Sequence, residues 1–236
     1  MKKLLVLLLA VTSFTAGFSQ TIYLDGKAHV GSTWLFNKNI SDDGAKQDYA
    51  AGWGFNYGVG ATVFFNKRVG LGLDLLLSKH TGAYTGDMDS LGTYDSWATL
   101  NSFNIPILFK LKNDAGGWIE IGPQYSAITN ADFRYKHTIS IGSSSITTDT
   151  TISADTSYAK SNISMVFGLG INIKFTDRIG LKTGFRFEYG LADLKGLDGM
   201  GRDLKNSFFY PTYEKTNSAT GSFMLGLYIK LGDEDE

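Results

Sequence analysis

Between Gly58 and Leu75 the chain reads GVGATVFFNKRVGLGLDL, with an apolar residue at every second position and glycine in many of the gaps. A period of two belongs to strands, whose side chains point alternately to opposite faces, so this stretch folds with one oily face. A half-buried strand in a soluble protein sets charged residues on its other face. Glycine there weakens a strand and is used where something approaches closely. The second face must therefore look into a crowded space.

The alternation recurs over 28–36, 53–65, 69–80, 100–111, 119–128, 163–175, 179–191 and 222–231, and none of these segments has the i, i+3, i+4 rhythm of a helix. Short connections at 66–68, 112–118 and 176–178 take turns with long polar ones at 37–52, 81–99, 129–162 and 192–221. An eight-stranded antiparallel up-and-down barrel sorts its loops this way, with short turns at one end and long loops at the other. A Greek-key sandwich has no reason to do so. The string GVGATVFFNKRVGL (58–71) is echoed by GLGINIKFTDRIGL (168–181), as if one hairpin geometry were used twice. Each hairpin is expected to close on a left-handed residue, with Gly70 and Gly180 relieving crowding after the turn. Pro106 and Pro123 fall within central strands, where each forfeits a ladder bond, so local bulges are expected there.

Which way the oily row faces decides the solvent. That row carries Trp53, Phe55, Tyr57 and Val59, then Leu71, Leu73, Leu75 and Leu77, and similar runs through Leu231. A lipocalin-type barrel points such a row inward around a ligand, whereas a membrane barrel points it at lipid. Glycines such as Gly58, Gly60, Gly72, Gly168, Gly184 and Gly226 serve no purpose against water. Inside an eight-stranded barrel they let the other side chains fit. Each strand supplies about nine to twelve residues, the length that a tilted strand needs to cross hydrocarbon. Trp53, Phe65, Tyr125, Phe175 and Tyr189 stand near strand ends, where interface belts form.

The start of the chain agrees with export. Lys2 and Lys3 precede an apolar run from Leu4 to Val11, and small residues follow at Ala16, Gly17 and Ser19. That is the layout of a secretory signal peptide spanning 1–19, cleaved to leave Gln20. The remainder reads as one barrel domain, 20–231, with an acidic tail at 232–236. The chain has no cysteine, which excludes disulfides, thiolate metal sites and a lipid-modified cysteine anchor. A formal net charge of −1 argues against a nucleic-acid partner. The expected place is the bacterial outer membrane, with both termini in the periplasm, the long loops outside and membrane lipid as the first partner.

The runs NIPILFKLK (104–112), IEIGPQYS (119–126), GLGINIKF (168–175) and FRFEYGL (185–191) resemble the PorT-like outer-membrane β-barrel family of Bacteroidetes-type bacteria. The resemblance implies a small eight-stranded barrel of OmpA/OmpX-like architecture in the outer membrane. The chain departs from many outer-membrane barrels in ending YIKLGDEDE, without a terminal aromatic residue.

Isolated charges on the glycine-rich row are the best-defined polar feature. If the strands on either side of Asp114–Gly116 pair, Lys110 lies across from Glu120, both inward. Lys182, Arg186, Glu188, Lys230 and Asp74 share that row. Such charges either pair into a network that plugs the lumen or line a gate or proton path. Loop 129–162, rich in serine and threonine, reads as strands continuing outward in a protruding hairpin, whose edge is able to pair with a partner strand. Loop 192–221 holds Phe208, Phe209, Tyr210 and Tyr213, which either close the barrel mouth or form a binding patch.

Catalysis is weakly supported, because His29, His80 and His137 have no carboxylate or serine partner at a defined spacing. Asp87 and Asp89 in GDMDSLG lack the closing glutamate of a calcium loop. No cofactor or metal is expected. The reading is a structural anchor or interaction module whose loops at 129–162 and 192–221 contact a surface ligand or envelope protein. A narrow gated pore and a lipid A-modifying enzyme are the alternatives.

Overall fold

The computed structural model describes residues 21–88, 92–206 and 208–232. The signal segment 1–19, Asp89 and the tail beyond Gly232 lie outside the described residues. The elements are β1 (Thr21–Asn37), a short helix α1 (Lys38–Asp42), a single 3-10 turn (Gly44–Lys46), β2 (Asp48–Ala50), β3 (Gly52–Phe64), β4 (Val69–Asp87), β5 (Thr93–Lys112), β6 (Gly117–Ile141), β7 (Ser144–Ser153), β8 (Ser161–Lys174), β9 (Ile179–Gly190) and β10 (Thr216–Leu231). No described helix is long and apolar enough to cross a membrane.

Eight strands close on themselves. The hydrogen-bonded order runs β1, β3, β4, β5, β6, β8, β9, β10 and back to β1, antiparallel at every step. Closure leaves the ring without edges. The two remaining strands sit above it: β2 pairs with the upper part of β4, and β7 with the upper part of β6.

The strands are longer than their sequence segments, and the reason is a reversal of polarity along them. On the lower part of β4, Leu71, Leu73, Leu75 and Leu77 face outward and are exposed, while Gly70, Gly72, Asp74 and Leu76 face in. Above Leu77 the outward positions become Lys79, Thr81 and Thr85, and the inward ones include Gly82 and Tyr84. The outward row of β5 changes from Phe103 to Asn101, and that of β6 from Tyr125 to Thr129 and Asp132. Below this line the surface suits acyl chains; above it the surface suits water and the interior suits a soluble core. The expected loop 81–99 is thus mostly two strands, β4 and β5, paired as far as Asp87↔Thr93. The expected protruding hairpin is present as β6 and β7.

The echoed hairpins are built alike, but without a left-handed residue: Gly44, Gly92, Gly116, Gly142, Lys195, Gly196, Gly201 and Gly232 hold the positive φ values among the described residues, and none is in these turns. Side chains close them instead. Asn66 Oδ1 accepts the backbone N–H groups of Arg68 and Val69, and Thr176 Oγ1 accepts those of Arg178 and Ile179.

The prolines produce no bulge either. Between β4 and β5 the pairs Leu73↔Ile107 and Leu76↔Asn104 keep one register across Pro106, and Pro106↔Gln124 and Phe109↔Ile121 keep another across Pro123. A missing N–H removes a local bond pair without requiring an extra residue. The register shift lies elsewhere, at Asn101/Ser102, where the ladder partner jumps from Asn130 to Ile128. It coincides with the level at which β6 changes polarity.

Candidate functional site

The lumen is stacked in layers, and each layer follows from alternating inward residues on neighbouring strands. At the periplasmic end Lys112 Nζ sits 4.6 Å from the centre of the Phe64 ring and donates to the Tyr23 hydroxyl at 3.1 Å. Tyr23 packs edge-on against Phe64 and tilted against Tyr228. A cavity of about 30 Å³ lies here, reaching Lys110, Trp118 and Lys182.

The next layer is ionic. Arg186 on β9 bridges Asp74 on β4, at 3.0 Å, and Glu120 on β6, to which its Nε donates at 2.9 Å. Glu120 also takes Lys182 at 3.0 Å and Lys110 at 3.5 Å. Asp74 takes Lys27 at 2.6 Å, and Lys27 reaches Asp25 at 2.8 Å. Lys182 lies 4.0 Å from the Trp118 ring centre, and Lys110 donates to Thr62 Oγ1 at 3.0 Å. Arg186, Asp74 and Glu120 have side chains with no exposed surface. Charges taken so far from water hold only when each has close opposite partners and hydrogen bonds.

Glycine supplies the room. A β-carbon on Gly60 would lie 2.6 Å from Asp25 Oδ1 and 2.7 Å from Lys27 Nζ; one on Gly168 would lie 2.8 Å from Glu120 Cγ. Side chains at these positions would displace the ions, which is the physical reason for the glycine row.

Of the charges expected in this network, the structure brings together Asp74, Lys110, Glu120, Lys182 and Arg186. Glu188 points into the layer above, where Gln124 Nε2 donates to it at 3.0 Å. Lys230 lies opposite Tyr23 at the periplasmic rim, four residues along β10 from Gly226, the ladder partner of both Lys27 and Lys182. Asp25 and Lys27 were missed because the first strand was begun at residue 28. The signal for them was present, since Ile22, Leu24, Gly26 and Ala28 alternate with Tyr23, Asp25, Lys27 and His29.

Above the ions is a polar chamber of about 40 Å³, room for about three waters. Its lining includes His29, Asn56, Gln124, Asn162, Glu188 and Thr220. Both ring nitrogens of the buried His29, Gln124 Oε1 and Asn162 Oδ1 have no protein partner among the described residues. His80 is held between the Trp34 carbonyl at 3.1 Å and Thr220 Oγ1 at 3.3 Å. His137 is far up β6, opposite Tyr94 and Thr148. His29 and His80 therefore share the chamber, and His137 lies outside it.

A hydrophobic lid closes the chamber. Leu194, Leu197 and Leu204 of the last long loop are buried against Leu35, Leu100, Ile128, Ala131 and Phe133 from the upper strands. The loop is pinned by its own polar bonds. Arg202 Nε donates to Asp198 at 2.6 Å, and Gln47 Nε2 and Arg202 both donate to the Tyr210 hydroxyl at 2.9 Å, which in turn donates to Asp198. Burial, reinforced by that bond to Asp198, pushes the Tyr210 hydroxyl above its ordinary pKa. The four aromatic residues expected as one patch therefore divide. Tyr210 turns into the lid, and Tyr213 donates to Asp193. Phe208 and Phe209 stack on each other at 4.3 Å on the outer surface, with Arg202 over Phe209 at 4.7 Å.

The comparisons with known proteins agree with the barrel. OprG from Pseudomonas aeruginosa is 12% identical, with 92% of this chain and 97% of OprG covered at a TM-score of 0.50. The Neisserial surface protein NspA is also 12% identical, over 89% of this chain and 97% of its own, with a TM-score of 0.38. Ail of Yersinia pestis, solved with the heparin analogue sucrose octasulfate, is 14% identical over 91% and 99%, with a TM-score of 0.37. At this identity OprG, with a TM-score of 0.50, speaks to fold alone, and the other two carry no argument. Among curated protein sequences, none matches the chain. The model of the outer membrane protein β-barrel domain matches residues 12–196, well over half of the chain. The chain belongs to that family and is a protein of the bacterial outer membrane.

Proposed function

We propose that this protein is a closed outer-membrane anchor that holds a folded extracellular platform in place for contact with a partner, and that it is not an enzyme. The observation that carries this reading is the stacking of the lumen. An ion network with fully buried carboxylates, a chamber sized for a few waters and an apolar lid succeed one another along the axis. Opening a path would require breaking buried ion pairs and moving a packed loop, each costing several kcal/mol. Within this reading the signal segment 1–19 is removed on export, and the chain is a member of the PorT-like branch of small barrels.

Reconstitution into planar lipid bilayers tests closure. The expected result is no steady current above the lipid background. A stable unitary conductance would overturn the anchor in favour of a pore.

A further inference from the structure

β7 is a strand with one edge unused. Among the described residues it pairs with β6 alone, through ten consecutive pairs from Asp132↔Ser153 to Ile141↔Ser144 without a register shift. All ten of its residues are exposed. Folded proteins usually blunt such an edge with proline, lysine or a bulge. β7, SSITTDTTIS, has no proline, lysine or bulge, and its one charge is Asp149.

That sequence has a second property. From Ser145 to Ser153 it reads identically in both directions, SITTDTTIS, with Asp149 at the centre. Antiparallel pairing of two identical strands is a two-fold arrangement, in which residue i meets j and j meets i. Centred on Asp149, it sets Ile146 against Ile152 of the second copy, Thr147 against Thr151 and Thr148 against Thr150. Like side chains meet at every position. Facing isoleucines and facing threonines each favour cross-strand pairing. Ile146 and Ile152 are 58% and 50% exposed, so both are free to be covered.

Only Asp149 meets its own charge. That charge is already balanced, because Arg134 on β6 donates to both its oxygens, through Nε at 2.9 Å and again through Nη2. Across the paired edges the ladder order would be Lys136, Asp149, Asp149 of the second copy, Lys136 of the second copy, with each Arg134 reaching its carboxylate diagonally. Cations flank the two carboxylates.

The orientation of the sheet fixes where the second copy comes from. The two-fold axis between antiparallel neighbours is perpendicular to their sheet. β6 runs unbroken from Gly117 at the periplasmic end to Ile141, so the β6–β7 sheet continues the barrel wall. Its perpendicular therefore lies near the membrane plane. A two-fold about such an axis turns the second barrel upside down, so the copy cannot sit in the same membrane. From Tyr125 to Ile141 the strand climbs about 40 Å, at ~3.3 Å per residue and a tilt near 40°. We propose that β7 pairs edge to edge with β7 of a second copy in a facing outer membrane, so that the protein joins membranes homotypically. This rests on the platform reading above and names its partner. One edge contact is small, so adhesion depends on many copies acting together.

Proteoliposomes labelled with two dyes test it. Wild-type vesicles are expected to cluster with one another. Because the chain has no cysteine, Ile146→Cys and Ile152→Cys report register: each population alone gives no disulfide-linked dimer, and the mixture does. Thr148→Lys with Thr150→Lys, and Thr148→Glu with Thr150→Glu, should each lower self-clustering at least tenfold, while mixing the two restores it. Barrel integrity is checked by heat-modifiable migration. Absence of wild-type clustering, unchanged clustering by the charge variants, or a disulfide formed within single vesicles would overturn the proposal. A photo-crosslinker at Thr148 on whole cells separates the two readings. Crosslinking to a different protein would overturn self-pairing and keep the platform, whereas crosslinking to nothing, together with bilayer conductance, would overturn both.

Discussion

Arg186 is the single residue on which the barrel interior turns. Its guanidinium binds two carboxylates from different strands, and neither has any contact with water. Removing it leaves Asp74 with Lys27 and Glu120 with Lys182 and Lys110, each short of a partner that was fully dehydrated. Breaking one member out of a buried network costs about 3–5 kcal/mol. Arg186→Met is expected to lose that much stability, seen as unfolding at lower urea in detergent micelles. A loss within about 1 kcal/mol would show that the network is not cooperative. The members Asp74, Lys110, Glu120, Lys182 and Arg186 were legible in the sequence because each is a lone charge in an otherwise apolar or glycine row. Their pairing was not, since it joins β1, β4, β5, β6 and β9 across the lumen, and only Lys110 and Glu120 are direct ladder partners.

The last long loop behaves as an element in its own right. Its entry and exit are clamped at Asp193, whose Oδ1 accepts the backbone N–H groups of Lys195 and Thr216 and whose Oδ2 accepts the Tyr213 hydroxyl. Partial burial pushes this carboxyl up, but the three hydrogen bonds outweigh it and hold its pKa below the ordinary 3.8. A depressed carboxylate stabilises the folded loop above the unfolded pKa, and the effect is lost as pH falls through the folded one. Protection of residues 192–215 from an acid-stable protease is therefore expected to persist at pH 5 and to fail only as the pH falls below 3.8. Tyr213→Phe removes one of the bonds and should move that failure to higher pH. An unchanged profile would mean that Asp193 does not hold the loop. The sequence does not show this clamp, because it joins Asp193 to Tyr213 and Thr216, twenty and twenty-three positions on, whose meeting depends on β9 and β10 being neighbours.

Across the whole molecule, closure is redundant. The ion layer and the apolar lid are separate barriers with the chamber between them. Deleting 194–206 alone is expected to leave planar bilayers silent, as is replacing Arg186 and Glu120 with serine. The combination should conduct. Current from the lid deletion alone would show that the ions do not seal the lumen.

The period-two alternation and the glycine row by themselves determined a closed eight-stranded barrel with lipid outside, because side-chain direction in a strand is a local property and glycine marks crowding wherever it recurs. The sequence segments end at His80, begin at Leu100 and end at Ile128 for a physical reason: near there the outside changes from lipid to water, the alternation continues with its sense reversed, and an oily-row criterion no longer recognises it. Tertiary structure alone decided what the ring encloses. Which charges touch, that Tyr210 turns inward while Phe208 turns out, and that β7 keeps an open edge are all consequences of which strands become neighbours. That information resides in closure and not in any one strand.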